Sequence, residues 1–241
     1  MKERSAARRL QVGILVLIAG TLLGWWIIPH YLGAQADVHY HQETGHYITN
    51  DFGFLAYWRQ HNGEQSLGAP VTGAFLENGM PVQYFQYGRL EAHTKLEGAP
   101  IMLGRVGAEY AEALWVQFAH GRTTDVQPGE QFFAETGHTL AEPFLSYWHN
   151  NGALTTLGYP ISEPLWENIG GAVIQVQYFE RGRVEHHPMA AGTPDEMRRS
   201  PMGYELAMLH GYDMTAAPAP AGAALSEGKQ NAAVVFLKQE A

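Results

Sequence analysis

Gln83-Tyr84-Phe85-Gln86-Tyr87-Gly88-Arg89-Leu90-Glu91-Ala92-His93 decides the reading of this chain, because it returns as Gln177-Tyr178-Phe179-Glu180-Arg181-Gly182-Arg183-Val184-Glu185-His186-His187. Tyr87-Gly88 and Arg181-Gly182 read as two-residue hairpin turns in which glycine takes the positive φ. Such a turn pairs Gln86 with Arg89, Phe85 with Leu90, Tyr84 with Glu91, Gln83 with Ala92 and Val82 with His93, and successive pairs face opposite sides. One face then carries Phe85, Leu90, Gln83 and Ala92; the other carries Gln86, Arg89, Tyr84, Glu91, Val82 and His93. The second copy sorts the same way, with Phe179, Val184, Gln177 and His186 opposed to Glu180, Arg183, Tyr178, Glu185, Val176 and His187. A Phe with an aliphatic partner on one side and a Tyr, Arg, Glu and His row on the other therefore occur twice.

The likeness extends outward from this stretch. Glu43-Thr44-Gly45-His46 matches Glu135-Thr136-Gly137-His138, Phe54-Leu55-Ala56-Tyr57-Trp58 matches Phe144-Leu145-Ser146-Tyr147-Trp148, and Leu67-Gly68-Ala69-Pro70 matches Leu157-Gly158-Tyr159-Pro160. Self-similarity of this kind marks a tandem-repeat protein. The copies lie 90 residues apart at Trp58 and Trp148 but 94 apart at Arg89 and Arg183, so four residues are added between them. The spacing assigns them to the loop Asn168 to Ala172, opposite Asn78-Gly79-Met80-Pro81, as surface connections tolerate such changes. That loop is a candidate for differing specificity.

Asp51 to His61 reads as a short amphipathic helix, with Asn50 or Asp51 as cap, Phe54, Tyr57 and Trp58 on one stripe, and Asn62-Gly63 as a left-handed stop. In the second copy Pro143 fits the first turn, and Phe144, Tyr147 and Trp148 form the stripe, which is read as a core face rather than a ligand platform. Thr44-Gly45-His46 and Thr136-Gly137-His138 read as turns. Helical spacing through Tyr110, Leu114 and Phe118 predicts a helix within Gly107 to Ala119, and Gly203 to Leu209 repeats it after the second copy.

Lys2, Arg4, Arg8 and Arg9 precede the apolar run Leu10 to Ile28, long enough to approach the span of a bilayer core with its basic flank inside. Residues 1–36 are therefore expected to be a membrane anchor or signal segment, the alternative being secretion after cleavage at Ala34-Gln35-Ala36. The net charge is −9 over 241 residues; without residues 1–36, 11 basic groups face 23 acidic ones. That balance repels phosphate backbones and argues against nucleic acid. With no cysteine, the chain is not a disulfide scaffold.

The expected class is α+β: two tandem repeat modules, each a short amphipathic helix plus small antiparallel β-hairpins, after an N-terminal transmembrane helix. The expected divisions are a stalk at 37–42, module 1 at 43–120, a connector at 121–134, module 2 at 135–213, and a disordered Ala/Pro-rich tail at 214–241.

With these motifs assembled, the chain resembles the LGFP-type repeats of bacterial cell-envelope proteins. The residues that carry the likeness are Leu67 to Pro70, Phe85, Gly88 and Gly98-Ala99, then Leu157 to Pro160, Phe179, Gly182, Pro188 and Gly192. Ala69 and Tyr159 stand where that family has Phe, and the units are longer than its usual repeat. The resemblance implies non-catalytic modules that attach to or recognise wall material, with no catalytic residue to carry over.

For chemistry, the Tyr84, Arg89, Glu91, His93 row and its counterpart Tyr178, Arg183, Glu185, His187 are the candidate ligand-binding residues. Rings offer flat apolar area and Arg and Glu oriented donors and acceptors, which suits cell-wall polysaccharide or peptidoglycan. The Glu and His pairs, with His46 or His138, also raise a zinc alternative. A ladder of ion pairs is the simpler reading, and no metal or cofactor is assigned. There is no Gly-x-Ser-x-Gly elbow and no His-Glu-x-x-His helix. A non-enzymatic binding protein is expected, with a metal- or carboxylate-dependent hydrolase or an architectural spacer as the alternatives.

Overall fold

The structure is a computed structural model that describes residues 38–119 and 126–220. These residues form a mixed α and β fold of small antiparallel sheets and short helices. The first half comprises a hairpin of β1 (Val38–His41) and β2 (His46–Thr49), helices α1 (Phe54–Gln60) and α2 (Gly63–Ser66), and a sheet of β3 (Phe75–Glu77), β4 (Met80–Tyr84), β5 (Arg89–Ala92) and β6 (Ile101–Leu103). Helix α3 (Val106–Ala113) closes it. The second half runs in the same order: β7 (Gln131–Phe133), β8 (His138–Leu140), α4 (Phe144–Asn150), α5 (Ala153–Thr156), β9 (Leu165–Ile169), β10 (Ala172–Phe179), β11 (Gly182–His186), β12 (Met197–Arg199) and α6 (Met202–Leu209). Strands β1 and β7 fall in the stretches expected to be stalk and connector. Each is the first arm of a hairpin whose turn is the Thr-Gly-His motif, with the Gly45 and Gly137 amides donating to His41 O and Phe133 O at 2.8 Å.

The aromatic stripes are core. Phe54, Phe144 and Trp148 are buried, and the indole N–H groups of Trp58 and Trp148 donate to Gly68 O and Gly158 O at 3.3 and 2.9 Å. Each tryptophan thereby fastens its helix to the Leu-Gly-x-Pro turn. The helix starts at Phe54 and its N-cap is Gly53, with φ 85° and no side-chain cap, rather than Asn50 or Asp51; Asn50 Oδ1 instead accepts the Ala56 amide from outside the helix at 3.0 Å. Asn62 is left-handed, with φ 49°, yet it separates two helices rather than ending one.

Two expectations about the hairpins are corrected. Tyr84 pairs with Arg89, Gln83 with Leu90 and Val82 with Glu91, and Tyr178 pairs with Arg183. The turn residues are Gln86-Tyr87, closed by the Phe85 amide on Gly88 O at 2.8 Å, and neither Gly88 nor Gly182 has positive φ. Moving the turn back one residue shifts the register by two, an even step that leaves every side chain on its expected face. The four added residues do not lengthen a loop. Asn78-Gly79 and Gly170-Gly171 are both two-residue turns with positive φ. Asn168, Ile169, Ala172 and Val173 extend the second hairpin by two residues per strand.

Each half has its own core, with Leu55, Leu67, Phe85 and Leu90 in the first and Leu140, Leu157, Phe179 and Val184 in the second. A third cluster is shared: Val82, Tyr84 and Val106 pack with Val176, Tyr178, Met202 and Leu206. It forms because the closing helices cross over. The Gly107 and Ala108 amides of α3 donate to Glu180 O at 3.1 Å, and the Tyr204 amide of α6 donates to Gln86 O at 3.2 Å. Arg199, half-buried, donates to Ser66 O and to Tyr87 O in the other half.

The face carrying the polar row is thus largely covered by helices. Met214 to Pro218, the start of the expected tail, lie against the first hairpin: the Ala217 amide donates to Gly45 O at 2.7 Å and Tyr47 Oη donates to Pro218 O at 2.9 Å. Among the described residues no helix is long and apolar enough to cross a membrane. The run Leu10 to Ile28, residues 120–125 and the chain beyond 220 lie outside those residues.

Candidate functional site

Strand register puts Tyr84 beside Arg89 and leaves Glu91 two residues on, on the same face. Arg89 donates from Nη1 to Tyr84 Oη at 2.8 Å, from Nε to Glu91 Oε1 at 3.0 Å, and from both terminal nitrogens to Glu109 at 2.7 Å. Glu77 joins at 3.1 Å. One guanidinium therefore collects three carboxylates and a phenol, a use of its planar fork that lysine does not reproduce. Tyr84 Oη donates in turn to Glu77 at 2.9 Å, and Glu91 Oε2 lies 2.9 Å from His93 Nε2.

Burial alone would lower the Arg89 pKa, but the bonds and charge of Glu109, with Tyr84, hold it above its ordinary value. Burial pushes the Tyr84 phenol up, against the pull of Arg89.

The second half rebuilds this cluster with one insertion. Arg183 meets Tyr178 Oη at 3.1 Å, Glu167 at 3.2 Å and Glu205 at 3.1 Å, and His187 meets Glu185 at 2.8 Å. Arg183 Nε reaches Glu185 only through the Ser200 hydroxyl, donating to Ser200 Oγ at 2.8 Å, which donates to Glu185 Oε1 at 2.5 Å. Gly104 occupies the matching place in the first half. A β-carbon there would stand 2.5 Å from Glu91 Oε1 and 2.7 Å from Arg89 Nε, so the direct pair and the glycine go together.

All eight sequence-derived candidates are thus brought together in two clusters, but their exposure differs from the expectation. Tyr84, Arg89, Glu91, Tyr178, Arg183 and Glu185 are buried; only His93 and His187 are partly open. The polar row was expected to be a surface because its residue types are polar. It is covered because α3 and α6 supply Glu109 and Glu205 to its two arginines. Those carboxylates were not anticipated, although Gly107-Ala108-Glu109 and Gly203-Tyr204-Glu205 carry the signal. Glu77 and Glu167, three residues into the matching Phe75-Leu76-Glu77 and Leu165-Trp166-Glu167, were missed likewise.

The zinc alternative finds no support in the geometry. Among the described residues no group of three or more His, Cys, Asp or Glu side chains is arranged to hold a metal ion. His46 lies 3.3 Å from Met214 O and His138 lies 3.4 Å from Glu163, so neither joins its Glu and His pair.

The first cluster opens into a cavity of about 550 Å³, walled by Glu77, Met80, Arg89, His93, Lys95, Glu109, His210 and Tyr212. Tyr212, just beyond α6, packs on Phe75 and Tyr84 and donates to Glu77; burial and that bond raise its pKa to about 12. In the second half Tyr110 of α3 brings its hydroxyl towards Glu205, and Arg183 sits over its ring. The matching residue of α6 is Leu206, which has no hydroxyl to offer Glu109. The Glu109 side chain is accordingly 35% exposed against 20% for Glu205.

Compared with known proteins, the sequence matches no protein-family model, and no curated protein matches it.

Proposed function

We propose that this is an exported, non-enzymatic envelope protein whose two tandem modules bind cell-wall polysaccharide or peptidoglycan. Residues 10–28 hold it in the cytoplasmic membrane with the N-terminus inside and the modules outside, or the modules are released if the chain is cut after Ala36. Nucleic acid is not a partner, given the acidic balance. The resemblance of both halves to LGFP-type repeats points the same way.

The observation that carries the reading is the cavity at Arg89. Its wall combines carboxylates, a guanidinium, an ammonium, two imidazoles and a phenol with the apolar Met80 and Leu96. Such a mixture suits a polymer segment rich in hydroxyl, amide and charged groups. Glu77, Glu91 and Glu109 all lie on the one guanidinium, an arrangement that fits holding a ligand better than moving a proton. Of the eight candidate residues, Arg89 and His93 line this space; Tyr84 and Glu91 position them. Tyr178, Arg183, Glu185 and His187 hold the matching cluster of the second module.

The test is retention of the full chain on purified cell wall. Wild type should be retained, and Lys95→Ala at the rim together with Glu109→Gln, which removes one carboxylate from Arg89, should weaken retention about tenfold, or about 1.4 kcal/mol. Equal retention of the variant removes the cavity as the site, and no retention of wild type removes the function.

A further inference from the structure

The two sheets are built on one plan, so matching cross-strand rows can be compared. In the second half one row crosses three strands: Trp166 lies opposite Gln175, and Gln175 opposite His186. The matching row of the first half reads Leu76, Pro81, Ala92. Aliphatic residues in one copy are thus replaced, position for position, by an indole, an amide and an imidazole in the other. Trp166 is 64% exposed. Its core duties are nil, since the buried tryptophan of that half is Trp148. His186 is flanked by the Phe144 ring and by Glu196, at 3.8 Å.

The added residues enlarge this platform. Asn168 and Val173 form a further rung beside Trp166, and Val173 is 68% exposed. With strands about 4.8 Å apart, Trp166 to His186 spans about 10 Å, the length of roughly two sugar rings. From exposed Trp166 and Asn168, with half-buried Gln175 and His186 beside them where the sheet runs on past the second core, we infer a second binding site, for a neutral oligosaccharide.

Charge favours that occupant over an anionic polymer. Trp166, Gln175, Asn168 and Val173 carry no ionised group, and the chain beyond residue 36 is strongly acidic, so a phosphate- or uronate-rich strand is repelled. A saccharide offers a C–H face to the indole, which has the area and shape to cover it, and hydroxyls to the amides at its side. The site is separate from the Arg89 cavity: it lies on another sheet and on the opposite face from Tyr178 and Arg183, since Gln175 and Val176 alternate.

The experiment is calorimetric titration of the full chain, in a detergent without a sugar headgroup, with two probes: the tetramer of N-acetylglucosamine and cellotetraose. At least one should bind. Trp166→Ala should weaken it about tenfold or more and Gln175→Ala to a lesser degree, while Leu76→Ala in the other half should leave it unchanged. Equal binding by Trp166→Ala, or binding of neither probe by wild type, overturns the inference. Retention on whole wall is scored separately through Glu109 and Lys95, so the cavity reading and this one fail independently.

Discussion

Gly203 of α6 lies against the carbonyl oxygen of Phe85, so close that a β-carbon would overlap it, and Gly107 of α3 stands the same way to Phe179 O. Each closing helix reaches the other half's hairpin through a glycine at its start. Tyr204 and Ala108, the next residues, bond the tips of those hairpins. The halves are therefore one body, closed by reciprocal exchange.

Substitution of either glycine by alanine tests this contact. In an exposed helix Gly to Ala is favourable by about 1 kcal/mol. Here the added methyl meets backbone that cannot yield, and the expected outcome is a loss of about 1–3 kcal/mol in urea unfolding, larger still in the double variant.

The Gln83 side chain donates to Tyr47 O at 2.7 Å and to Thr72 O at 2.9 Å, pinning the first hairpin and the post-Pro70 loop to the sheet. Gln177 does the same with Thr139 O and Ser162 O, both at 2.8 Å. Gln83→Leu takes the donor from one buried and one half-buried carbonyl and Gln177→Leu from two buried ones, and each should cost about 2–4 kcal/mol, counting about 1–2 per carbonyl.

How much of this was legible in the sequence varies by element. The repeated Gln-Tyr-Phe and Trp motifs announced both cores and both faces, because alternation and helical spacing are local. The turn at Gln86-Tyr87 was misplaced by one residue, since glycine is as useful for close packing as for positive φ, and a β-carbon on Gly88 would stand 3.0 Å from Leu67 Cδ2. The burial of Arg89 and Arg183 was illegible, because nothing local to a hairpin says that a helix some twenty residues away will cover its polar face. Strands β1 and β7 were passed over because their residues, Val38–His41 and Gln131–Phe133, do not resemble one another.

Ser200 and Gly104 make a matched pair of tests. Ser200→Ala removes the bridge between Arg183 and Glu185 but keeps the β-carbon that separates them, and should cost about 1–3 kcal/mol. Ser200→Gly vacates that space and permits the direct pair seen at Arg89 and Glu91, so it should cost less than Ser200→Ala. The reverse order in thermal melts would contradict the comparison of the two clusters.

His46 sets a pH dependence. Burial pushes its imidazole below the ordinary value of 6.5, only partly offset by the Met214 carbonyl and by Asp213. A base whose pKa is lower in the folded than in the unfolded state binds its proton more readily when unfolded. Its contribution is therefore full above pH 6.5 and is lost as pH falls through that value towards the folded pKa. The urea midpoint should drop between pH 7 and pH 5, and less so in His46→Gln; an equal drop in both assigns the effect elsewhere.

The most direct test of the central claim is a nuclear magnetic resonance titration of the isotope-labelled full chain with soluble wall fragments. The account predicts shift changes concentrated at His93, Lys95, Glu109, His210 and Tyr212 around the Arg89 cavity, with a second set at Trp166 and Gln175 for neutral glycan. Spectra unchanged at saturating fragment, or changes scattered away from both places, would contradict it.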